Sequence, residues 1–149
     1  MAWLLDTNVV SEMMRRHPEP RVARFLDRAG RNRLHISAIT IWEIHNGIGL
    51  LDSQSRRADL AARFEQVLND TFEDRILHWT AADARECARV MEKRRRLGAP
   101  LDQHLPDAML AASAASHSLT LVTRNTRDFR LTDIKVFNPW KDVSGLGQD

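Results

Sequence analysis

Trp3-Leu4-Leu5-Asp6-Thr7-Asn8-Val9-Val10-Ser11 is the stretch from which the rest of the chain is read. Three apolar residues make a run too short for a helix and suited to a strand, while Asp6, Thr7 and Asn8 are all residue types that cap the start of a helix. The helix so capped carries Val9, Val10, Met13 and Met14. Strand then helix is the opening unit, and it recurs. Leu34 to Ile36 reads as a second strand, Ser37 as a cap, and Ile39, Trp42, Ile44 and Ile48 as an apolar helix weakened at its end by Gly47 and Gly49. Leu119 to Thr123 is a further strand, and Ile134 to Phe137 is the last, stopped by Asn138-Pro139.

The intervening segments are helical by their spacing. After Pro18 and Pro20, Val22, Phe25, Leu26 and Ala29 recur at i, i+3, i+4 and i+7 until Gly30 closes the turn. Leu60, Phe64, Val67 and Leu68 mark a longer helix, followed by an edge strand at Arg75 to Leu77. Thr80 with Asp83 has the form of a capping box for a helix on Ala84, Cys87, Ala88 and Met91, ended by Gly98-Ala99-Pro100. Pro106 opens an Ala-rich helix from Asp107 to Ser116, whose small side chains let it lie close against a sheet. Strands that alternate with helices of this length need crossovers, so the fold class is α/β, a largely parallel sheet flanked by helices on both faces. A length of 149 residues suits one domain. The domain is expected over residues 1–140, with a frayed polar tail over 141–149.

Composition excludes several classes. Apolar residues at 43% and charged residues at 28% are ordinary for a globular domain. No apolar run approaches the roughly 18 residues of a membrane helix, and no basic segment precedes Trp3, so the expected place is the cytoplasm. One cysteine, Cys87, excludes a disulfide framework and a multi-cysteine zinc cage, and on an apolar helical stripe it reads as packing. The six histidines show no metal-binding spacing and read as surface or satisfied polar residues, the serines lie in no nucleophile elbow, and the four tryptophans read as packing. No Gly-rich phosphate loop is present. The net charge is only +2, yet 19 of the 22 basic residues are Arg, clustered at Arg15 and Arg16, at Lys93, Arg94, Arg95 and Arg96, and at Arg124, Arg127 and Arg130. Such clusters are either solvated faces or phosphate-binding surface.

Isolated carboxylates carry the chemistry. Asp6 is the only formal charge from Met1 to Ser11, Glu43 the only one from Ile36 to Leu51, and Asp107 the only one from Gln103 to Thr123 apart from any histidine charge. A carboxylate buried without a partner protonates, so acids in apolar segments are paired, capped or metal-bound. Asp6 taken singly is also a helix cap, and Asp107 also suits the positive end of its helix; Glu43 lies inside its helix, where capping fails. In an open parallel sheet, ligands gather at the carboxyl ends of the strands, where all three acids can converge. The loop Arg124-Asn125-Thr126-Arg127-Asp128 brings Asp128 to the same edge. Oxygen donors alone, with Thr7, Asn8 and Asn125 beside them, describe a site for Mg²⁺ or Mn²⁺.

Five motifs in order then resemble one family: Leu5 to Ser11, Ser37 to Ile44, Pro106 to Ala112, Val122 to Asn125, and Asn138 to Trp140. Together they resemble a PIN-domain ribonuclease of the VapC toxin type, over nearly the whole chain from Met1 to Trp140. The resemblance implies a PIN fold and Asp6, Glu43 and Asp107 as catalytic metal ligands. The fourth position falls to Asp128 or to Asn125, where many relatives carry an acid. It also implies an RNA substrate, a small VapB-like antitoxin partner, a homodimer and a larger toxin–antitoxin assembly built from it. Thr7 and Asn8 would orient the ligands, and Arg15, Arg16, Arg94, Arg95, Arg96, Arg124 and Arg127 would hold RNA phosphates. Three rival readings remain at this stage. A haloacid-dehalogenase-type phosphatase needs a second Asp where Asn8 stands. A structure-specific DNA nuclease would use the same metal site, and an inactive PIN-like binding module would account for Asn125.

Overall fold

The computed structural model describes residues 1–98, 105–130 and 132–141. Its elements are β1 (Trp3–Leu5), α1 (Thr7–Met13), α2 (Pro20–Ala29), β2 (Leu34–Ser37), α3 (Ala38–Gly49), α4 (Gln54–Val67), β3 (Ile76–Leu77), α5 (Ala81–Arg96), α6 (Leu105–Ser116), β4 (Thr120–Val122) and β5 (Val136–Phe137). The capping signals act where the residue types place them. Asp6 caps α1, the Ser37 hydroxyl accepts the Ile39 N–H at 3.0 Å, and Thr80 and Asp83 close a reciprocal capping box on α5.

Among the described residues the strands form one five-stranded sheet in the order β3-β2-β1-β4-β5, every pairing parallel. Alternate residues of β1 serve opposite faces, as a doubly covered sheet requires. Trp3 and Leu5 join Val9, Val10, Val22, Phe25, Ile44 and Phe64 from α1 to α4, while Leu4 joins Leu110, Ala111 and Ala114 of α6 and Leu121 of β4. α5 lies against α6 through Cys87, Val90, Ala108 and Ala112, so the cysteine and the alanines are packing.

Several short features depart from the periodicity. α4 runs on into a single π turn, Leu68–Phe72, and 3-10 turns occupy Arg31–Arg33 and Thr126–Phe129. The last strand is two residues long and excludes Ile134 and Lys135. Trp3 and Trp140 pack in the core, but Trp42 is 58% exposed, which corrects the reading of all four tryptophans as packing. His35 likewise departs from a satisfied polar residue, because its buried Nδ1 has no hydrogen-bond partner. Ala99 and Pro100, His104 and most of the expected tail, 142–149, lie outside the described residues. Among the described residues no helix is long and apolar enough to cross a membrane.

The chain moves outward from β1 to β2 and β3, then α5 and α6 carry it back to the other side of β1, where β4 and β5 follow. The direction of winding therefore reverses between β1 and β4, and the crevice at the carboxyl ends of these two strands is the place where such sheets hold ligands. Asp6 follows β1 and Thr123 follows β4.

Candidate active site

Asp6 is the centre of the crevice. Its main chain continues β1 into α1, and its N–H donates to Val122 O of β4 at 2.9 Å, which draws the two strand ends together. Its side chain is 6% exposed and fully engaged. Oδ1 accepts the Thr7 N–H at 2.7 Å, and Oδ2 accepts the Thr123 hydroxyl at 2.7 Å and the Asn8 amide at 3.2 Å. Asp6 is thus a helix cap and a site residue at once. Burial pushes its carboxyl above the ordinary range and the charge of Asp107 adds to this, against the hydrogen bonds from Thr123, Thr7 and Asn8.

Glu43 comes from the second turn of α3 and is half-buried. The Thr7 hydroxyl donates to its Oε1 at 2.8 Å, so Thr7 joins the first two acids, through its N–H to Asp6 and its hydroxyl to Glu43. Burial raises Glu43 as well; the Thr7 bond lowers it, and the charges of Asp6 and Asp107 raise it further. Asp107, in the first turn of α6, therefore acts on both. Asp6 at the start of α1, Glu43 of α3 and Asp107 of α6 are thus near enough for their charges to act on one another, although 101 positions separate the first from the last.

The fourth position is less tightly tied. Asn125 is exposed, and its N–H donates to Thr123 Oγ1 at 3.0 Å. Asp128 is half-buried on the 3-10 turn, and its charge is not among those that raise Asp6 or Glu43.

Sequence reasoning missed Thr123. Fully buried, its hydroxyl donates to Asp6 and accepts from Asn8 Nδ2 at 3.3 Å and from the Asn125 N–H. A threonine at the end of the Leu119–Thr123 run reads as strand, so its signal was its place within the Val122–Asn125 motif, which marked the segment without singling out the hydroxyl. Asn8 completes the link by accepting the Arg124 N–H at 3.1 Å.

The arginines separate into distinct roles. Arg15 is exposed and pairs with Glu12 at 3.2 Å, and Arg16 is exposed. Arg124 stacks over Trp140, its Cζ 5.2 Å from the ring centroid, and Arg127 is exposed. Arg95 and Arg96 are exposed, Arg96 pairing with Glu92 at 2.7 Å. Arg94 is corrected: it is 5% exposed and its guanidinium donates to the main-chain carbonyl of Asp128. At that burial the guanidinium is turned to the protein interior and away from any phosphate at the surface.

The donor set fits a hard divalent cation. The atoms are all carboxylate, hydroxyl and amide oxygens, and the acids repel one another, a strain that positive charge relieves. Among the described residues no three acidic, histidine or cysteine side chains stand close enough to ligate one ion directly. A hard ion such as Mg²⁺ keeps several waters and is ordinarily held through one or two carboxylates.

A parallel sheet covered by helices on both faces, with acids at its switch point, defines an α/β protein with a ligand crevice at the carboxyl ends of its strands. The chain belongs to the PIN domain family, whose model matches residues 3–135. It is 37% identical over 139 residues to Toxin FitB of Neisseria gonorrhoeae, covering 93% of this chain and 99% of that protein. It is 28% identical over 138 residues to VapC ribonuclease Y4jK of Sinorhizobium fredii, covering 93% and 97%. The crystal structure of FitAcB from Neisseria gonorrhoeae shares the fold with a TM-score of 0.83 and 36% identity, over 94% of this chain and 99% of that one. Other solved structures of the same fold include a toxin–antitoxin complex from Klebsiella pneumoniae. The resemblance drawn from the five motifs is borne out at the level of family and relatives.

Proposed function

We propose that this protein is a Mg²⁺- or Mn²⁺-dependent endoribonuclease toxin, restrained by a small cognate antitoxin. The observation that carries the reading is the link from Asp6 at the switch point through Thr7 to Glu43, with the charge of Asp107 bearing on both acids. The names of the relatives, a toxin and a VapC ribonuclease, support RNA as the substrate class and a toxin–antitoxin setting.

Asp6, Glu43 and Asp107 would hold the cation, with Asp128 ahead of Asn125 for the fourth position because a carboxylate offsets metal charge and an amide does not. When bound, the cation polarises the scissile phosphate, lowers the pKa of attacking water and stabilises the leaving oxygen. The protein's own groups set the geometry for this. Thr7, Asn8 and Thr123 fix both oxygens of Asp6 and one of Glu43, so the carboxylates do not turn away from one another. Arg15, Arg16, Arg95, Arg96, Arg124 and Arg127 would bear on flanking RNA phosphates.

A cleft of about 440 Å³ opens beside Glu43. Thr7 and Glu43 form its polar end, and Met14, Ile44, Ile48, Leu51 and Leu60 its apolar wall. It suits an amphipathic antitoxin segment that lays apolar side chains on α3 and delivers an Arg to Glu43 and Asp6. The expected assembly is a homodimer of the toxin bearing the antitoxin, acting in the cytoplasm.

The test is incubation of purified protein with total cellular RNA and Mg²⁺, mapping of new 5′ ends, and labelled DNA in parallel. Discrete RNA ends that vanish in chelator support the reading. Cutting of DNA alone would make it a DNA nuclease, and metal binding without cleavage of either polymer would make it a binding module.

A further inference from the structure

The Lys93-Arg94-Arg95-Arg96 run at the end of α5 is divided by the fold. Arg95 and Arg96 face solvent, whereas Lys93 pairs with Asp133 and Arg94 turns inward to the carbonyl of Asp128. Both contacts, the first on the surface and the second buried, land on one segment, the stretch after β4 that contains the 3-10 turn Thr126–Phe129.

That turn is held at its two ends by other means. Its start is tied to Thr123 Oγ1 by the Asn125 N–H, one hydrogen bond from Asp6. Its end is fixed by Phe129, buried with Leu4, Leu110 and Leu121. Between them Asp128 has its N–H on Asn125 O at 3.1 Å and its carbonyl on Arg94. α5 in turn packs along α6, the helix that carries Asp107. Arg94 therefore connects the helix pair bearing Asp107 to the turn bearing Asn125 and Asp128.

We propose that Arg94 is a positioning residue of the metal site: from α5 its guanidinium holds the main-chain carbonyl of Asp128 and sets the Asn125–Asp128 turn against the acids of α1 and α6. The inference rests on the metal-site reading above. Arg94 touches neither substrate nor metal; it acts through the turn. A lysine offers one ammonium in place of the planar fork and keeps the charge while blurring the direction of the bond.

The experiment compares Arg94→Gln and Arg94→Lys with the solvent-facing pair Arg95→Ala and Arg96→Ala. Mn²⁺ binding is measured by calorimetry, and amide exchange is followed over residues 125–129. RNA binding is measured in an Asp6→Asn background so that cleavage does not intervene. Arg94→Gln is expected to weaken Mn²⁺ binding about ten- to hundredfold, the range for groups that orient metal ligands. Exchange across the turn should quicken, RNA affinity and its salt dependence should hold, and Arg94→Lys should recover part of the loss. Combining Arg94→Gln with Asp128→Ala should cost no more Mn²⁺ affinity than the worse single change, because both act through one turn. Arg95→Ala and Arg96→Ala should do the reverse, lowering RNA affinity and flattening its salt dependence with Mn²⁺ binding intact.

Unchanged Mn²⁺ binding in Arg94→Gln with weaker RNA binding would overturn the proposal and make Arg94 a phosphate contact. Unchanged Mn²⁺ binding in Arg94→Lys, with exchange faster throughout α5 and α6, would overturn it in favour of packing alone. If the wild type binds Mn²⁺ but cuts no RNA, the ribonuclease reading fails while the Mn²⁺ and exchange measurements still decide the role of Arg94.

Discussion

Asp6 sits in a crevice where burial and the charge of Asp107 both oppose its ionisation, and that conflict can be measured. Asp6→Asn and Asp107→Asn each remove one charge from a repelling set, so cleavage should be lost while the melting temperature of the metal-free protein holds or rises; near wild-type cleavage by either variant would unseat the site. The same repulsion has a pH signature. Because the folded-state pKa of Asp6 is raised, its stabilising contribution is fully present below the ordinary carboxylate pKa and is lost as pH rises through the raised value. In chelator, Asp6→Asn should therefore gain on the wild type as pH climbs out of the carboxylate range, as scanning calorimetry would show. For the fourth position, Asp128→Ala should reduce cleavage more than Asn125→Ala; the opposite order in single-turnover rates would move the ligand to Asn125. The three principal acids were legible because each is alone in an apolar segment. Thr123 and Arg94 were not. A threonine after Val122 is ordinary strand composition, and one buried arginine inside a run of four basic residues looks like its solvated neighbours.

At the scale of elements, the strands and helices that carry the site follow from period and caps. The strand ends before Asp6 and after Ser37 are marked by capping residues, and α5 begins at a capping box the sequence displays in full. That box makes a clean element-level prediction. Thr80→Ala removes the hydroxyl that accepts the Asp83 N–H and should cost about 1 kcal/mol of stability by denaturant titration. Its effect on the cleavage rate should be slight, because Arg94 lies about 20 Å further along the same helix. A large fall in rate without a fall in stability would mean that α5 couples to the site along its whole length. The π turn at Leu68–Phe72 and the 3-10 turns have no such marker. They are shorter than a hydrophobic period, and what fixes them is tertiary: Phe72 and Phe129 are buried anchors whose partners lie in other elements.

For the whole molecule, the proposed function would separate inhibition from catalysis along the cleft beside Glu43. Its polar end is Glu43 and Thr7, part of the proposed chemistry, while Leu51 at the far end of α3 lines only the apolar wall. A single segment that fills the cleft would therefore mask the site from one end and draw its affinity from the other. Groups that fill an apolar pocket at the centre of an interface can each contribute 2 kcal/mol or more, about a thirtyfold change in affinity. Leu51→Asp should consequently leave RNA cleavage by the purified protein unchanged while weakening capture of the proposed antitoxin by roughly that factor. In cells, induction of the wild-type chain alone should arrest growth, Asp6→Ala should abolish the arrest, and coexpression of the partner should restore growth to the wild type but not to Leu51→Asp. Rescue of Leu51→Asp as complete as that of the wild type would place the partner outside this cleft. Unimpaired growth with abundant metal-loaded wild-type protein would remove the need for a mask and with it the toxin reading.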